Sequence, residues 1–241
     1  MSKSLPFTFF QMHPKALLLE WQQEPNLDLF HEINCFKTNI ESHFKDICQI
    51  TQGYCTLLIQ WKNELENLTE IKAQLETQFR NIDSAQRHKK SKHWTLPVCY
   101  EGEFALDLEE LSSELNLSKE EIVSRHSQPT YNVFFIGFLP GFLYLEGLDP
   151  RLFFPRKKTP RLKISKGAIA IGGKQTGIYP SQSPGGWQII GNTPIPLFNP
   201  DKKNPCFAAS GDTLSFDPIS YEEYQLILKA KNPIQYLTKK G

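Results

Sequence analysis

Glycine and proline are spread so unevenly along these 241 residues that a single folding plan cannot serve both halves. Of 14 glycines only Gly53 and Gly102, and of 17 prolines only Pro6, Pro14, Pro25 and Pro97, fall in the first 128 residues. Glycine reaches backbone conformations that other residues resist and proline fixes φ, so a dense mixture of the two specifies shaped loops and short strands. The shift predicts two domains: an N-terminal one over residues 1–86, a basic linker over 87–93 (Arg87-His-Lys-Lys-Ser-Lys-His93), and a second domain over 94–241.

The first half carries regular periodicities. Phe7–Met12 and Ala16–Trp21 are short apolar runs around His13-Pro14-Lys15, a hairpin signal, and Asp46–Thr51 with Tyr54–Trp61 repeats it around Gln52-Gly53. Leu27–His43 places Leu27, Leu29, Phe30, Ile33, Phe36 and Ile40 at helical spacing, and Leu68–Ile82 is a second amphipathic helix. The order β-β-α-β-β-α predicts a small sandwich of one sheet with two helices on one face.

Beyond a strand at His93–Tyr100, two short helices follow: one at Asp107–Leu111, the other opened by the capping box Ser118-Lys-Glu-Glu121 and ending near His126. Short apolar strands at Val133–Phe138, Ala168–Ile171, Trp187–Ile190 and Asp212–Phe216 then alternate with Gly/Pro turns, before a last helix at Tyr221–Lys231. This half is expected to be a closed β-barrel covered by one or two helices. The fold class is α+β.

A formal net charge of +1 gives no reason to expect nucleic acid or membrane as a partner. Residues 1–6 lack the apolar core of a signal peptide, and the longest apolar run, Val133–Leu145, is interrupted by Gly137, Pro140 and Gly141. Five widely spaced cysteines without a C-x-x-C pair read as reduced thiols of a cytoplasmic protein. No histidine or cysteine spacing suits a metal, so none is expected on this chain.

Gly167-Ala-Ile-Ala-Ile-Gly-Gly-Lys-Gln175 imitates a phosphate loop but fails its register: Ala168 takes the first glycine's place and Gln175 that of the magnesium-binding Ser or Thr. From Arg151 to Lys174 the chain holds eight basic residues and no acidic one, either a solvated loop or a positive rim for an anionic ligand. Glu101, Glu103 and Asp107 cluster before a helix, as caps or as functional carboxylates. In the second case Glu103 could deprotonate or orient an amide with His126 as acid or hydrogen-bond partner. Gln175, Thr176, Tyr179 and Trp187 sit between glycines or prolines, which pre-organises them as a binding surface or, for Trp187 above all, as part of the barrel core.

Four segments carry a resemblance: Val98-Cys-Tyr-Glu-Gly-Glu-Phe104 with Asp107-Leu108, Gly137-Phe-Leu-Pro-Gly-Phe142, Gly172-Gly-Lys-Gln-Thr-Gly-Ile-Tyr-Pro180 and Ser183-Pro-Gly-Gly-Trp187. In order and spacing they resemble the B-subunit family of 5-oxoprolinase, also known as allophanate hydrolase subunit 1 (carboxyltransferase domain, subdomains C and D), which includes an inhibitor of a sporulation histidine kinase. Leu143 and Glu146 depart from the family's usual Pro and Gly, as do Glu101, Ala105 and Leu106 from its Gly, Gly and Pro. The resemblance implies a small N-terminal α/β domain and a C-terminal cyclophilin-like barrel. It implies a cytoplasmic hydrolase subunit, active only in a hetero-oligomer with the A and C subunits, that opens 5-oxo-L-proline to L-glutamate with ATP (and magnesium) as co-substrate. The alternatives it carries are an allophanate- or urea-type amide hydrolase subunit and a regulatory inhibitor of a sensor histidine kinase. Carried onto these positions, the expected binding residues are Phe138, Pro140, Gly141, Phe142, Arg161, Gln175, Thr176, Tyr179, Pro184, Gly185 and Trp187, with Glu103 and His126 as catalytic candidates.

Overall fold

A computed structural model describes residues 5–82 and 91–240. By backbone contacts the chain falls into two compact units, Met1–Lys89 and Lys90–Gly241. Residues 87–90 of the expected linker lie outside the described residues, and His93 already opens a strand.

The first unit runs β1 (Phe7–His13), β2 (Ala16–Trp21), α1 (Leu27–His43), β3 (Ile47–Gln52), β4 (Thr56–Trp61) and α2 (Leu68–Arg80). Its antiparallel sheet has the order β1-β2-β4-β3. Strand alternation puts Leu17, Leu19 and Trp21 on one face, and the register sets Leu17 opposite Ile59 and Leu19 opposite Leu57. Ile33, Phe36 and Ile40 of α1 and Leu75 of α2 complete that core. Asn26 and Asn67 cap the two helices by accepting the Leu29 and Glu70 N–H groups.

The second unit adds β5 (His93–Val98), α3 (Leu108–Leu115), α4 (Lys119–Ser127), β6 (Tyr131–Ile136), β7 (Leu143–Glu146), β8 (Arg161–Ile164), β9 (Ala168–Gly172), β10 (Gln175–Ile178), β11 (Ser183–Gly185), β12 (Gln188–Asn192), β13 (Thr213–Pro218), α5 (Tyr221–Lys229) and β14 (Thr238–Lys240). Eight strands form one sheet in the order β12-β9-β10-β7-β6-β13-β5-β14. Just past β5, Cys99 exchanges two 2.9 Å hydrogen bonds with Asn192 of β12, which brings the far side of the sheet round. The result is a mixed α/β unit with a nearly closed, barrel-like sheet. β8 and β11 pair separately as a two-stranded ribbon.

The expected helices and apolar strands of this half are present. β7, β8, β10, β11 and β14 are additions to that reading. α3 begins at Leu108 with Asp107 in the capping position, yet the Asp107 side chain makes no cap hydrogen bond. Among the described residues no helix is long and apolar enough to cross a membrane.

Candidate functional site

Two glycines explain why three separate segments can meet. An added Cβ at Gly172, the last residue of β9, would lie 2.5 Å from the Trp187 ring, and one at Gly185 would lie 2.4 Å from the Tyr179 hydroxyl oxygen. Only bare backbone lets the indole and the phenol pack this closely. Phe142 stands edge-on to both, with ring centroids 5.0 Å from Tyr179 and 5.6 Å from Trp187, and Tyr144 leans on it at 4.7 Å.

These rings wall a cavity of about 490 Å³. Phe138 and Leu139 edge it from the β6–β7 loop, and Pro160, Pro184 and Gly185 from the ribbon. Phe138 holds φ at +66°, and 64% of its surface is exposed. A left-handed backbone at a bulky residue costs on the order of 1–3 kcal/mol, which the loop's hydrogen bonds Gly137 N–H to Phe142 and Phe142 N–H to Leu139 help to impose.

The cavity's positive charge comes from Arg156, whose guanidinium lies 5.2 Å from the Trp187 ring centroid. Both residues beside it are anchored. Gln188 donates to the Pro155 carbonyl at 3.0 Å, and the Lys157 N–H donates to Gly186 at 2.7 Å. Lys157 then bonds Asp107 at 3.0 Å and Glu110 at 2.8 Å. Burial raises the Tyr179 hydroxyl to about 12 and pushes Tyr144 upward, while Arg156 partly opposes both. Both phenols therefore remain protonated donors at neutral pH.

Behind this wall Asp107 is 1% exposed. It accepts two hydrogen bonds from Arg161, at 2.9 and 2.5 Å, and one from the Ile189 N–H at 2.6 Å. Burial works against its charge, but Arg161, Ile189 and Lys157 outweigh burial and hold the carboxyl below its ordinary range.

The expected site residues separate accordingly. Phe138, Phe142, Tyr179, Pro184, Gly185 and Trp187 converge on the cavity. Pro140 and Gly141 line a second hollow of about 460 Å³, with Phe138 and Leu139 shared between the two. Arg161 is spent on Asp107, and Gln175 lies part-exposed on β10 without lining the cavity. Glu103 is exposed in a 3-10 turn, Gly102–Phe104.

His126 and Thr176 depart most from expectation, because both are fully buried. The Thr176 hydroxyl donates to the Ala170 carbonyl at 3.0 Å, so it can only accept from His126 Nε2, 2.8 Å away. That assigns the Nε2–H tautomer and leaves Nδ1 to accept from the Tyr100 hydroxyl at 2.8 Å. Burial lowers His126 to about 3, so it is neutral. With both nitrogens engaged it has no proton or lone pair to offer a substrate. Here it ties α4 to the end of β5 and to β10.

Arg156, Tyr144 and Lys157 were not singled out from the sequence. The run of cations from Arg151 pointed to the region, but not to which guanidinium pairs with Asp107 and which lies over Trp187.

Residues 7–208 match the family model for the carboxyltransferase domain, subdomain C and D. The chain belongs to that carboxyltransferase-domain family. It is 44% identical over 137 residues to the B subunit of 5-oxoprolinase from Bacillus subtilis, covering 57% of each chain. The match to the corresponding Haemophilus influenzae protein is 44% identical over 127 residues, 53% of this chain and 60% of that one. The chain thus spans about three-fifths of each of these two curated relatives. A urea carboxylase structure from Kluyveromyces lactis shares the fold, with a TM-score of 0.78 at 21% identity over 97% of this chain and 24% of that one. In this family member the described residues hold no cluster of three His, Cys, Asp or Glu side chains able to take a metal.

Proposed function

We propose that the chain is the B subunit of an ATP-dependent 5-oxoprolinase, acting with the A and C subunits to open 5-oxo-L-proline to L-glutamate. The observation that carries this is the convergence of three sequence motifs on one aromatic cavity containing Arg156, in a chain 44% identical to such a subunit over 137 residues. A five-membered lactam is small enough for the cavity of about 490 Å³ that Trp187, Phe142, Tyr144 and Tyr179 line. Its carboxylate pairs with Arg156, and the protonated Tyr144 and Tyr179 hydroxyls are donors for the lactam carbonyl oxygen, drawing electron density from the carbon to be attacked.

Gly172–Lys174 is the turn of the β9–β10 hairpin with Lys174 exposed, so it does not open a helix as a P-loop does. The role proposed for this subunit is to bind and orient the lactam. The proposal includes two domains, 1–86 and 94–241, the second of cyclophilin-like type, joined at 87–93 in a cytoplasmic protein.

Charged hydrogen bonds are worth about 1.5–3 kcal/mol, so Arg156→Ala should raise KM for 5-oxoproline roughly 10- to 100-fold with little change in kcat. Arg156→Lys should recover part of the loss, since one ammonium cannot reproduce the planar fork. ATP-dependent glutamate release by the assembled three-subunit enzyme measures both, and an unchanged KM would remove Arg156 from the site. The likeness to a Lachancea kluyveri urea amidolyase, 26% identical over 90% of this chain and 13% of that one, favours a second reading in which the cavity takes an allophanate-type acyclic amide. Running both substrates in one assay separates the two.

A further inference from the structure

The β8–β11 ribbon carries charge and apolar surface that the cavity does not use. Residues 151–200 contain eight basic side chains and no acidic one. Two of these cations, Lys157 and Arg161, are neutralised by Asp107 and Glu110. Lys158, Lys163 and Lys166 are exposed, and among the described residues none of them pairs with a carboxylate. Between them Leu162 is 91% exposed, although its strand neighbour Ile164 is buried at 2%.

The ribbon is also rigidly seated. Arg161 begins β8 and is gripped by the buried Asp107, while the β11 partner Gly185 abuts Tyr179 and Ile164. An exposed leucine on a well-held strand, beside lysines that pair with no carboxylate among the described residues, joins apolar surface to a positively charged rim. The ribbon also reaches the cavity, since Gly185 of β11 and Pro160, the residue before β8, form one of its walls.

We propose that this ribbon docks an acidic surface of a partner protein that has an apolar cleft for Leu162, and that docking covers the mouth of the aromatic cavity. The inference rests on the reading that the enzyme is complete only with a second protein. Charge complementarity selects the acidic partner, with Lys158, Lys163 and Lys166 steering the encounter. Leu162 selects a protein over nucleic acid, which offers the lysines phosphates but gives a lone leucine no matching cleft.

The test uses the full chain and the purified C subunit from the same source, with Kd measured by calorimetry at low and high salt. Leu162→Asp should weaken binding at least 30-fold, and Lys163→Glu with Lys166→Glu at least 10-fold, with the salt dependence of the double variant reduced. Lys202→Glu, exposed outside the ribbon, should stay within about twofold of wild type. Unchanged melting temperatures should show that these surface changes leave the fold intact. If wild type binds and Leu162→Asp binds equally well, the docking surface lies elsewhere, and continued glutamate release then leaves the functional reading standing. Binding of heparin or anionic vesicles that is indifferent to Leu162→Asp, with no affinity for the purified partner, makes the ribbon a polyanion site. Failure of the wild-type chain to bind that partner overturns both readings.

Discussion

Asp107→Asn should cost the protein about 3–5 kcal/mol, the range for removing one partner of a buried ion pair. For a chain of this size that is on the order of 10 °C in Tm. The substitution keeps the shape of the side chain but removes the charge that Arg161, Lys157 and the Ile189 N–H all address. Those cations are 28% and 18% exposed, so water compensates them only in part. The loss should also reach the cavity, because Lys157 fixes the segment that aims Arg156 and Ile189 lies two residues beyond Trp187. The pH dependence follows from the direction of the shift. The Asp107 carboxyl is held below its ordinary 3.8, so the folded state binds fewer protons than the unfolded one just below that value. The stability difference between wild type and variant should be full and flat above about pH 5 and shrink as pH falls through the folded value. Urea titrations across pH 2–7 measure it, and a difference that stays constant down to pH 2 would show that the charge contributes nothing.

Two kinds of signal made the fold legible. In the first unit the 3.6-residue and two-residue periodicities are clean, so α1 appears over the very span read from its apolar spacing, and β3 and β4 fall within two residues of theirs. In the second unit the strands left unread contain residues that disguise them. β8 reads Arg-Leu-Lys-Ile, and β10 holds a glycine in Gln-Thr-Gly-Ile. Their pairing is set by neighbours far along the chain, as when Gly177 of β10 registers against Tyr144 of β7. Propensity gives no account of such partners.

The cavity was half legible for the same reason. Gly172 and Gly185 could be read as places where something must come close, and the structure supplies Trp187 and Tyr179. That Arg161 pairs with a carboxylate while Arg156, among the described residues, does not depends on Asp107, 54 residues from Arg161 in sequence. Spacing carries no trace of that pair. His126 did leave a trace, since it follows Ile122 by four residues and so shares its buried helical face.

That buried face makes His126→Phe the sharper test of what this histidine does. A phenyl ring can keep the stack on Phe216, whose centroid lies 4.6 Å from the imidazole. It cannot accept from Tyr100 or donate to Thr176, and each buried orphan costs about 1–3 kcal/mol. A loss of about 2–4 kcal/mol is therefore expected at neutral pH. Burial lowers the imidazole from 6.5 to about 3, so between those values the unfolded chain binds a proton that the folded chain refuses. Wild-type stability should be full above pH 6.5 and fall by on the order of 4 kcal/mol on the way to pH 3, at about 1.4 kcal/mol per unit of separation. The phenylalanine variant lacks this slope, so the two stability curves should converge as pH drops. This window lies above the one governed by Asp107, and the two substitutions together should divide acid unfolding into separate limbs. A general acid would behave otherwise. If the variant keeps its stability but loses a pKa near 6 from the pH profile of glutamate release, His126 acts on substrate and the closed hydrogen-bond chain through Tyr100, His126 and Thr176 must open during turnover.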